Sequence, residues 1–132
     1  MFRPLEGVKV LDLSRVLAGP YTAKLLSDLG ANVLRVEAPW GDDTRGWGPP
    51  FTEIDNEQVA AYWTSVNLGK SVIRKDLKNE NDLQEVRKLI SESDIIIENF
   101  RPGKSEEWFA PWPDEAIVCN ISAYGNYGPR SR

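Results

Sequence analysis

A strand that runs through a short loop into a helix, at residues 8–30, constrains the fold of this chain more than any other stretch. Apolar residues are nearly continuous from Val8 to Leu13, as in a strand that helices cover on both faces. Pro20 is tolerated in a first helical turn, and Gly30 lies where a left-handed residue commonly ends a helix. The loop between strand and helix predicts bare backbone N–H groups at the carboxyl edge of a parallel sheet, where such folds bind anions.

Three further stretches predict additional strands of the same sheet. Residues 32–37 follow the first helix and complete a βαβ unit, whose crossover is right-handed. Residues 94–98 and 116–122 each contain three or more apolar residues in a row, and each stretch leads into a polar turn that contains glycine or proline. Asn79 predicts the N-cap of another helix before the third strand. The predicted fold class is therefore α/β, with a mostly parallel sheet of four strands and flanking helices.

Residues 38–67 differ in composition from the predicted strands and helices, because glycine and proline recur around the rings of Trp40, Trp47 and Phe51. We predict a long ordered loop or excursion here, because disordered linkers seldom carry so many large aromatic residues. Within it, residues 59–63 fit a short helix and a short strand equally well.

The composition indicates an ordinary globular domain. A chain of 132 residues, 41% of them apolar, is long enough for one core but not for two. The net charge of −4 argues against a general nucleic-acid binder, which is normally basic. No apolar run approaches the ~20 residues that span a bilayer, and the first residues carry no signal-peptide core. We therefore expect a cytoplasmic protein, or a mitochondrial one if the source is eukaryotic.

The content of cysteine and histidine limits the chemistry that the chain can perform. Cys119 is the only cysteine, so it forms no internal disulfide, and in its apolar strand we expect it to be a buried small hydrophobe. With no histidine and no second cysteine, the sequence predicts no metal site and lacks the usual base of a Ser or Cys triad. Catalysis would depend on carboxylates, lysines or a bound cofactor.

Two stretches could bind an anion. The loop at residues 14–20 could hold a phosphate through its N–H groups, the helix dipole and Arg15, or it could only form a tight turn. A basic cluster could hold a phosphate-rich small ligand, or could be a solvated face. Its four cations are Lys70, Arg74, Lys75 and Lys78.

Acidic residues offer two weaker candidate sites. Glu37 lies near the ~20-residue distance at which a ribose-binding acid follows a dinucleotide loop, but the loop has one glycine instead of three. Asp42 and Asp43 could suggest a metal pair, yet no third ligand is nearby. A surface turn or an Asp–Arg pair with Arg45 is the favoured interpretation.

Several motifs in a fixed order resemble one family. They are PLEGVKVLDLSRVLAGP at residues 4–20, DLGA at 28–31, GDDTR at 41–45, ENFRPG at 98–103 and the YG and GP pairs near residues 124 and 128. Together they closely resemble the opening of the class III CoA-transferases, the CaiB/BaiF family, which also contains racemases. The resemblance covers nearly the whole chain.

The resemblance implies that residues 1–132 are the N-terminal, Rossmann-like portion of a larger domain that binds coenzyme A. The positions that match the family's CoA contacts are Arg15, Ala18, Lys75, Lys78, Asn99 and Phe100. The implied partners are an acyl-CoA and a small carboxylic acid, and a homodimer is implied for the full-length protein. In the family's transferases a carboxylate attacks the thioester to give a mixed anhydride, and a second acid then takes the CoA.

The resemblance also bears on activity. The family's nucleophilic aspartate lies beyond the Tyr-Gly and Gly-Pro turn, and no aspartate of this chain matches it, so we expect no catalytic residue among residues 1–132 and no turnover by this piece alone. Two alternatives stay open from the residues: a non-catalytic CoA or nucleotide-binding module, and an NAD-dependent oxidoreductase fragment that rests only on Glu37. Within the family that the chain resembles, a 2-methylacyl-CoA racemase fragment is a third.

Overall fold

The computed structural model describes residues 1–131, which form a parallel sheet with helices on both faces and one separate hairpin. The strands are β1 (Lys9–Asp12), β2 (Asn32–Glu37), β3 (Phe51–Ile54), β4 (Glu57–Ala60), β5 (Ser71–Arg74), β6 (Ile95–Glu98) and β7 (Ile117–Asn120). The helices are α1 (Ala18–Asp28), α2 (Ala61–Asn67), α3 (Glu80–Ser91) and α4 (Lys104–Phe109).

The main sheet has five strands in the order β5-β2-β1-β6-β7, and every neighbouring pair is parallel. In chain order this is third, second, first, fourth and fifth, the strand order of a Rossmann-type sheet. The predicted α/β, Rossmann-like fold class is confirmed. The strand order reverses between β1 and β6, so the loops that follow these two strands diverge at that point.

The core has two layers because alternate residues of each strand face opposite sides of the sheet. On one side, Leu11 and Ile96 pack against Val86 of α3 and against Phe109. The other layer includes Val10, Val33 and Ile97 with Ala23 of α1.

Both predicted helix termini are confirmed. The Asn79 side chain accepts a hydrogen bond from the N–H of Asp82 at 3.1 Å and caps α3. Gly30 follows α1 with φ +103°, a conformation that glycine adopts without strain. Gly19 has a different role, since a Cβ there would lie 2.1 Å from the Ser14 Cβ. Only glycine lets the start of α1 approach the first loop this closely.

The prediction of four strands was wrong, because the sheet has a fifth, β5. Its four residues include only two apolar ones, Val72 and Ile73, among basic neighbours. It pairs on one side only, with β2, so it has no need of the apolar run that marks a strand buried in the middle of a sheet. Cys119 is half-buried instead of buried for a related reason: β7 is the other edge of the sheet.

The excursion at residues 38–67 is ordered, as predicted. It contains a 3₁₀ turn at Asp43–Gly46, the antiparallel β3–β4 hairpin and helix α2. Residues 59–63 are part strand and part helix, since β4 ends at Ala60 and α2 begins at the next residue. The hairpin turn consists of Asp55 and Asn56, which both have positive φ. Asp and Asn favour such two-residue turns, so the sequence contained a signal for this hairpin.

Candidate functional site

Loops from four strands meet around a cavity of about 250 Å³ at the carboxyl edge of the sheet. Its walls come from the last three residues of β2 and from the segments that follow β1, β2, β5 and β6, with one residue of α4. The residues that carry its chemistry are Arg15, Trp40, Lys75, Lys78, Phe100 and Trp108. This edge, at the point where strand order reverses, is where open α/β sheets bind their ligands.

Four of the six sequence-predicted contact residues lie on this cavity: Arg15, Lys75, Lys78 and Phe100. Asn99 lies beside it and lines a neighbouring open cleft together with Arg15 and Phe100. Ala18 is exposed as the first residue of α1 and lines neither space. The structure therefore brings five of the six positions together.

The loop after β1 is fixed by hydrogen bonds from its own N–H groups. Arg15 N–H donates to the Asn99 Oδ1 at 2.8 Å, and the Asn99 amide returns a bond to the Arg15 carbonyl at 2.9 Å. Ser14 N–H donates to Asp12, and Val16 N–H donates to Asp42 at 3.2 Å. The prediction of bare N–H groups is wrong for these three residues, because carboxylate and amide side chains already accept from them.

Side-chain cations supply positive charge at the cavity instead. The Arg15 guanidinium contacts Asp43 at 2.8 Å, and both side chains are about half exposed. Lys75 forms an ion pair with Glu85, and this pair raises the pKa of Lys75. Lys78 is exposed, and within the part of the chain that the structure describes no carboxylate pairs with its ammonium. Lys78 is thus the cavity cation with the fewest competing contacts.

The predicted cluster of four cations divides in the structure. The Lys70 side chain is fully buried, and its ammonium donates to Asp12 at 2.8 Å and to the Pro20 carbonyl at 2.8 Å. Burial lowers the pKa of Lys70, although the charge of Asp12 opposes that shift. Arg74 pairs with Glu57 of the hairpin at 2.8 Å. Neither side chain lines the cavity, because each is used to join structural elements.

Arg35 is the centre of a buried ion network beneath the cavity. Its side chain is 1% exposed and donates to Asp12 at 3.1 Å, to the Ser14 carbonyl at 2.9 Å and to Asp42 at 2.7 Å. Its Nε atom has no hydrogen-bond partner among the described residues. The guanidinium joins β1, the first loop and the loop after β2, so it fixes two cavity walls relative to each other.

Asp42 is buried, so the surface-turn interpretation is wrong, and the alternative Asp–Arg pair forms with Arg35 at 2.7 Å instead of with Arg45. Its carboxylate accepts from Arg35 and also from the N–H and hydroxyl of Thr44, at 2.9 and 2.7 Å. Burial alone would raise the pKa of Asp42, but the hydrogen bonds from Thr44 and the charge of Arg35 outweigh it, and the pKa is lowered. Asp42 therefore remains ionised.

Glu37 is also buried, and its acceptor sites are occupied. Arg45 donates to it at 2.9 Å, the Trp63 indole N–H at 3.1 Å and the Asp42 N–H at 3.1 Å. Burial would raise the pKa of Glu37, but the Arg45 hydrogen bond and the Arg35 charge lower it overall. The suggestion that Glu37 binds a ribose is wrong, because its carboxylate holds the excursion against β2.

Phe100 both packs in the aromatic part of the core and lines the cavity. Its ring packs edge-on against Trp108 with centroids 5.3 Å apart, and it also contacts Phe109 of the core. It lines the cavity as well. Trp40 and Trp108 line the same cavity and were not predicted as site residues; the only sequence signal was the aromatic content of the excursion and of residues 104–119.

The described residues contain no group of three or more acidic, cysteine or histidine side chains that could hold a metal ion. Across residues 1–131, no helix combines the length and apolar character needed to cross a bilayer.

A family model described as CoA-transferase family III matches residues 5–132. The chain belongs to this family. The match includes all four segments that build the cavity.

Relatives with known names support the assignment. The chain is 43% identical to succinyl-CoA:glutarate CoA-transferase of Mus musculus, with 98% of the chain and 30% of that protein covered. It is 43% identical to succinate–glutarate CoA-transferase of Agrobacterium fabrum, with 96% of the chain and 34% of that protein covered. The chain thus spans about a third of the length of these family members.

Solved structures agree with the fold. A CAIB/BAIF family protein from Brucella suis superposes with a TM-score of 0.94 at 41% identity, over 99% of this chain and 36% of that chain. A hypothetical protein from Mycobacterium tuberculosis gives a TM-score of 0.83 at 35% identity, over 98% of this chain and 36% of that one.

Proposed function

We propose that residues 1–132 form the N-terminal, CoA-binding portion of an acyl-CoA:carboxylate CoA-transferase. The observation that carries the proposal is the cavity at the carboxyl edge of the sheet, where Arg15, Lys75 and Lys78 meet in a chain of CoA-transferase family III. The names of its relatives point to short dicarboxylic acids and their CoA thioesters as the substrate class. A homodimer of the full-length protein belongs to the same proposal.

The residues of the cavity fit a phosphate-rich ligand that also has apolar parts. Lys78 and Arg15 supply charge-assisted donors for phosphate oxygens, while Leu13, Phe100 and Trp108 supply apolar walls. Asn99 acts through the loop, since its amide fixes the backbone of Arg15 on both sides. Arg35 and Asp42 act as positioning residues, because they hold the loops without being exposed themselves.

The test is calorimetry of CoA binding to the purified chain and to Lys78→Ala. A charge-assisted contact contributes about 1.5–3 kcal/mol, so loss of the Lys78 ammonium is expected to weaken CoA binding roughly tenfold or more. Lys88→Ala is the matched control, since Lys88 is an exposed lysine of α3 that lies away from the cavity. Equal CoA affinity of the wild type, Lys78→Ala and Arg15→Ala would remove the cavity as the CoA site.

The proposal also includes the route of transfer. An enzyme carboxylate would attack the thioester carbonyl to give a mixed anhydride with the donor acid and CoA thiolate, and the thiolate would then attack the enzyme's carbonyl, which releases the donor carboxylate and leaves an enzyme–CoA thioester. The acceptor carboxylate would attack this thioester to give its own mixed anhydride and CoA thiolate, and attack of the thiolate on the acceptor's carbonyl would form the new acyl-CoA and release the enzyme carboxylate. Within residues 1–132 the aspartates nearest the cavity are poor nucleophiles. Asp12 and Asp42 are buried and bonded to cations, and Asp43 is paired with Arg15. We place the nucleophile outside these residues.

We expect no acyl adduct when residues 1–132 are incubated with succinyl-CoA and the intact protein mass is measured. Thioester exchange with added glutarate is expected to stay at the uncatalysed rate. An anhydride trapped by hydroxylamine on Asp12, Asp42 or Asp43 would place the chemistry in this portion. CoA binding without any adduct is also the behaviour of a non-catalytic CoA-binding module, and the same assay on the full-length protein separates the two, because only the transferase then exchanges CoA.

A further inference from the structure

Trp40 presents a large aromatic surface that the protein itself does not use. Its side chain lines the cavity and is 70% exposed, although indole rings are usually well buried. In the part of the chain that the structure describes, the ring takes part in no aromatic pair, no cation–π contact and no hydrogen bond. Trp108, the other tryptophan on the cavity, packs against Phe100 instead.

The backbone holds Trp40 at the tip of a fixed turn. Gly41 N–H donates to the Ala38 carbonyl at 2.8 Å, and Pro39 restricts the first turn position. Gly41 has φ +84°, and a Cβ there would lie 2.8 Å from the Arg45 Cδ. The turn is thus tied to β2 at one end and packed on the excursion at the other, so little backbone entropy remains to be lost when a ligand contacts the ring.

The charges around the ring indicate what kind of ligand it faces. Lys75 and Lys78 follow β5 and line the same cavity as Trp40. A free aromatic face and two cations in one cavity fit a ligand that joins a flat ring to phosphate groups. Stacking of a nucleobase on an aromatic side chain is a common source of affinity in nucleotide binding, and it needs no hydrogen bonds to the base.

We propose that the indole of Trp40 stacks on the adenine base of CoA, while the lysines after β5 bind the phosphates. This inference rests on the proposed CoA-binding function and assigns the base to one residue. The pantetheine and acyl parts of CoA have no flat aromatic face, so Trp40 would contribute to binding of the nucleotide end only. Trp40 is then a residue that strengthens binding of the nucleotide end of CoA and does not discriminate among acyl groups.

The test compares two probes: adenosine 3′,5′-bisphosphate and its abasic analogue, which keeps the sugar and both phosphates. Calorimetry is carried out on the wild-type chain, Trp40→Ala, Trp40→Phe and, as control, Trp47→Ala, whose exposed ring lies away from the cavity. Trp40→Ala is expected to bind the nucleotide about tenfold more weakly, which equals about 1.4 kcal/mol, and the abasic probe equally well. Trp40→Phe keeps a stacking ring and is expected to stay within about threefold of the wild type.

Fluorescence gives a second readout. Binding of the nucleotide is expected to quench indole emission in the wild type and in Trp47→Ala, and to quench it much less in Trp40→Phe, although affinity is retained. If wild type and Trp40→Ala bind the nucleotide equally well, the inference is overturned while the proposed CoA-binding function stands. The inference is also overturned if Trp40→Ala loses the same affinity for the nucleotide and for the abasic probe. If the wild type binds neither CoA nor the nucleotide, the proposed function fails and the role of Trp40 fails with it.

Discussion

Replacement of Arg35 by methionine is expected to lower the free energy of unfolding by about 3–5 kcal/mol. The substitution keeps an unbranched apolar stem but removes the guanidinium, so Asp42 stays buried without the cation that now lies 2.7 Å from it. Asp12 would keep Lys70 at 2.8 Å, while the Ser14 carbonyl would lose its donor. A buried charge without its partner costs several kcal/mol, because water cannot replace the lost contact.

Urea denaturation followed by circular dichroism measures this difference. Lys24→Met is the matched control, because Lys24 contacts Asp28 at 2.6 Å in an i,i+4 pair whose carboxylate is 56% exposed. Such a pair contributes about 0.3–0.5 kcal/mol. If Arg35→Met costs less than about 1 kcal/mol, the network must relax or admit water, and Arg35 does not fix the cavity walls.

Ile96→Ala is expected to destabilise the chain by about 2–5 kcal/mol. Ile96 is 0% exposed at the centre of the sheet, where it packs in the same cluster as Leu11 and Val86. Truncation removes three carbon atoms and leaves a cavity between two rigid layers, which can collapse only partly. The loss should appear as a lower denaturation midpoint with an unchanged m-value.

Ile117→Ala is the control, because it makes the same Ile-to-Ala substitution at another strand position. Ile117 lies on β7 beside Ile95, but its side chain is 65% exposed. Its truncation is expected to change stability by less than about 0.5 kcal/mol. Equal effects of the two truncations would mean that the outer face of β7 is covered in solution, for example by a second copy of the chain.

The elements that sequence reasoning found are those with strong local signals. β1, β2 and β6 are apolar runs buried on both faces, and Asn79 caps its helix through residues three positions away. β5 was missed because an edge strand needs fewer apolar residues. Its place in the sheet is fixed by the β2 backbone, which no local pattern reports.

The candidate site divides in the same way. Lys75, Lys78 and Arg15 were predicted from charge and from motif resemblance, and they do lie on one cavity. The buried state of Arg35 could not be predicted, since its partner Asp12 lies 23 residues away and charged residues are usually exposed. Glu37 was misinterpreted for a similar reason: its donor Trp63 comes from the excursion, 26 residues later.

The position of β1 in the middle of the sheet has a consequence for synthesis of the chain. One edge of β1 can pair with β2 once residue 37 has been made, but the other edge has no partner until β6 is made, since the contact from Lys9 to Asp94 spans 85 residues. At about 5–20 residues per second, that edge stays open for about 4–17 s on the ribosome. An open apolar edge can pair with a neighbouring nascent chain. We therefore expect this segment to be held by chaperones until β6 emerges.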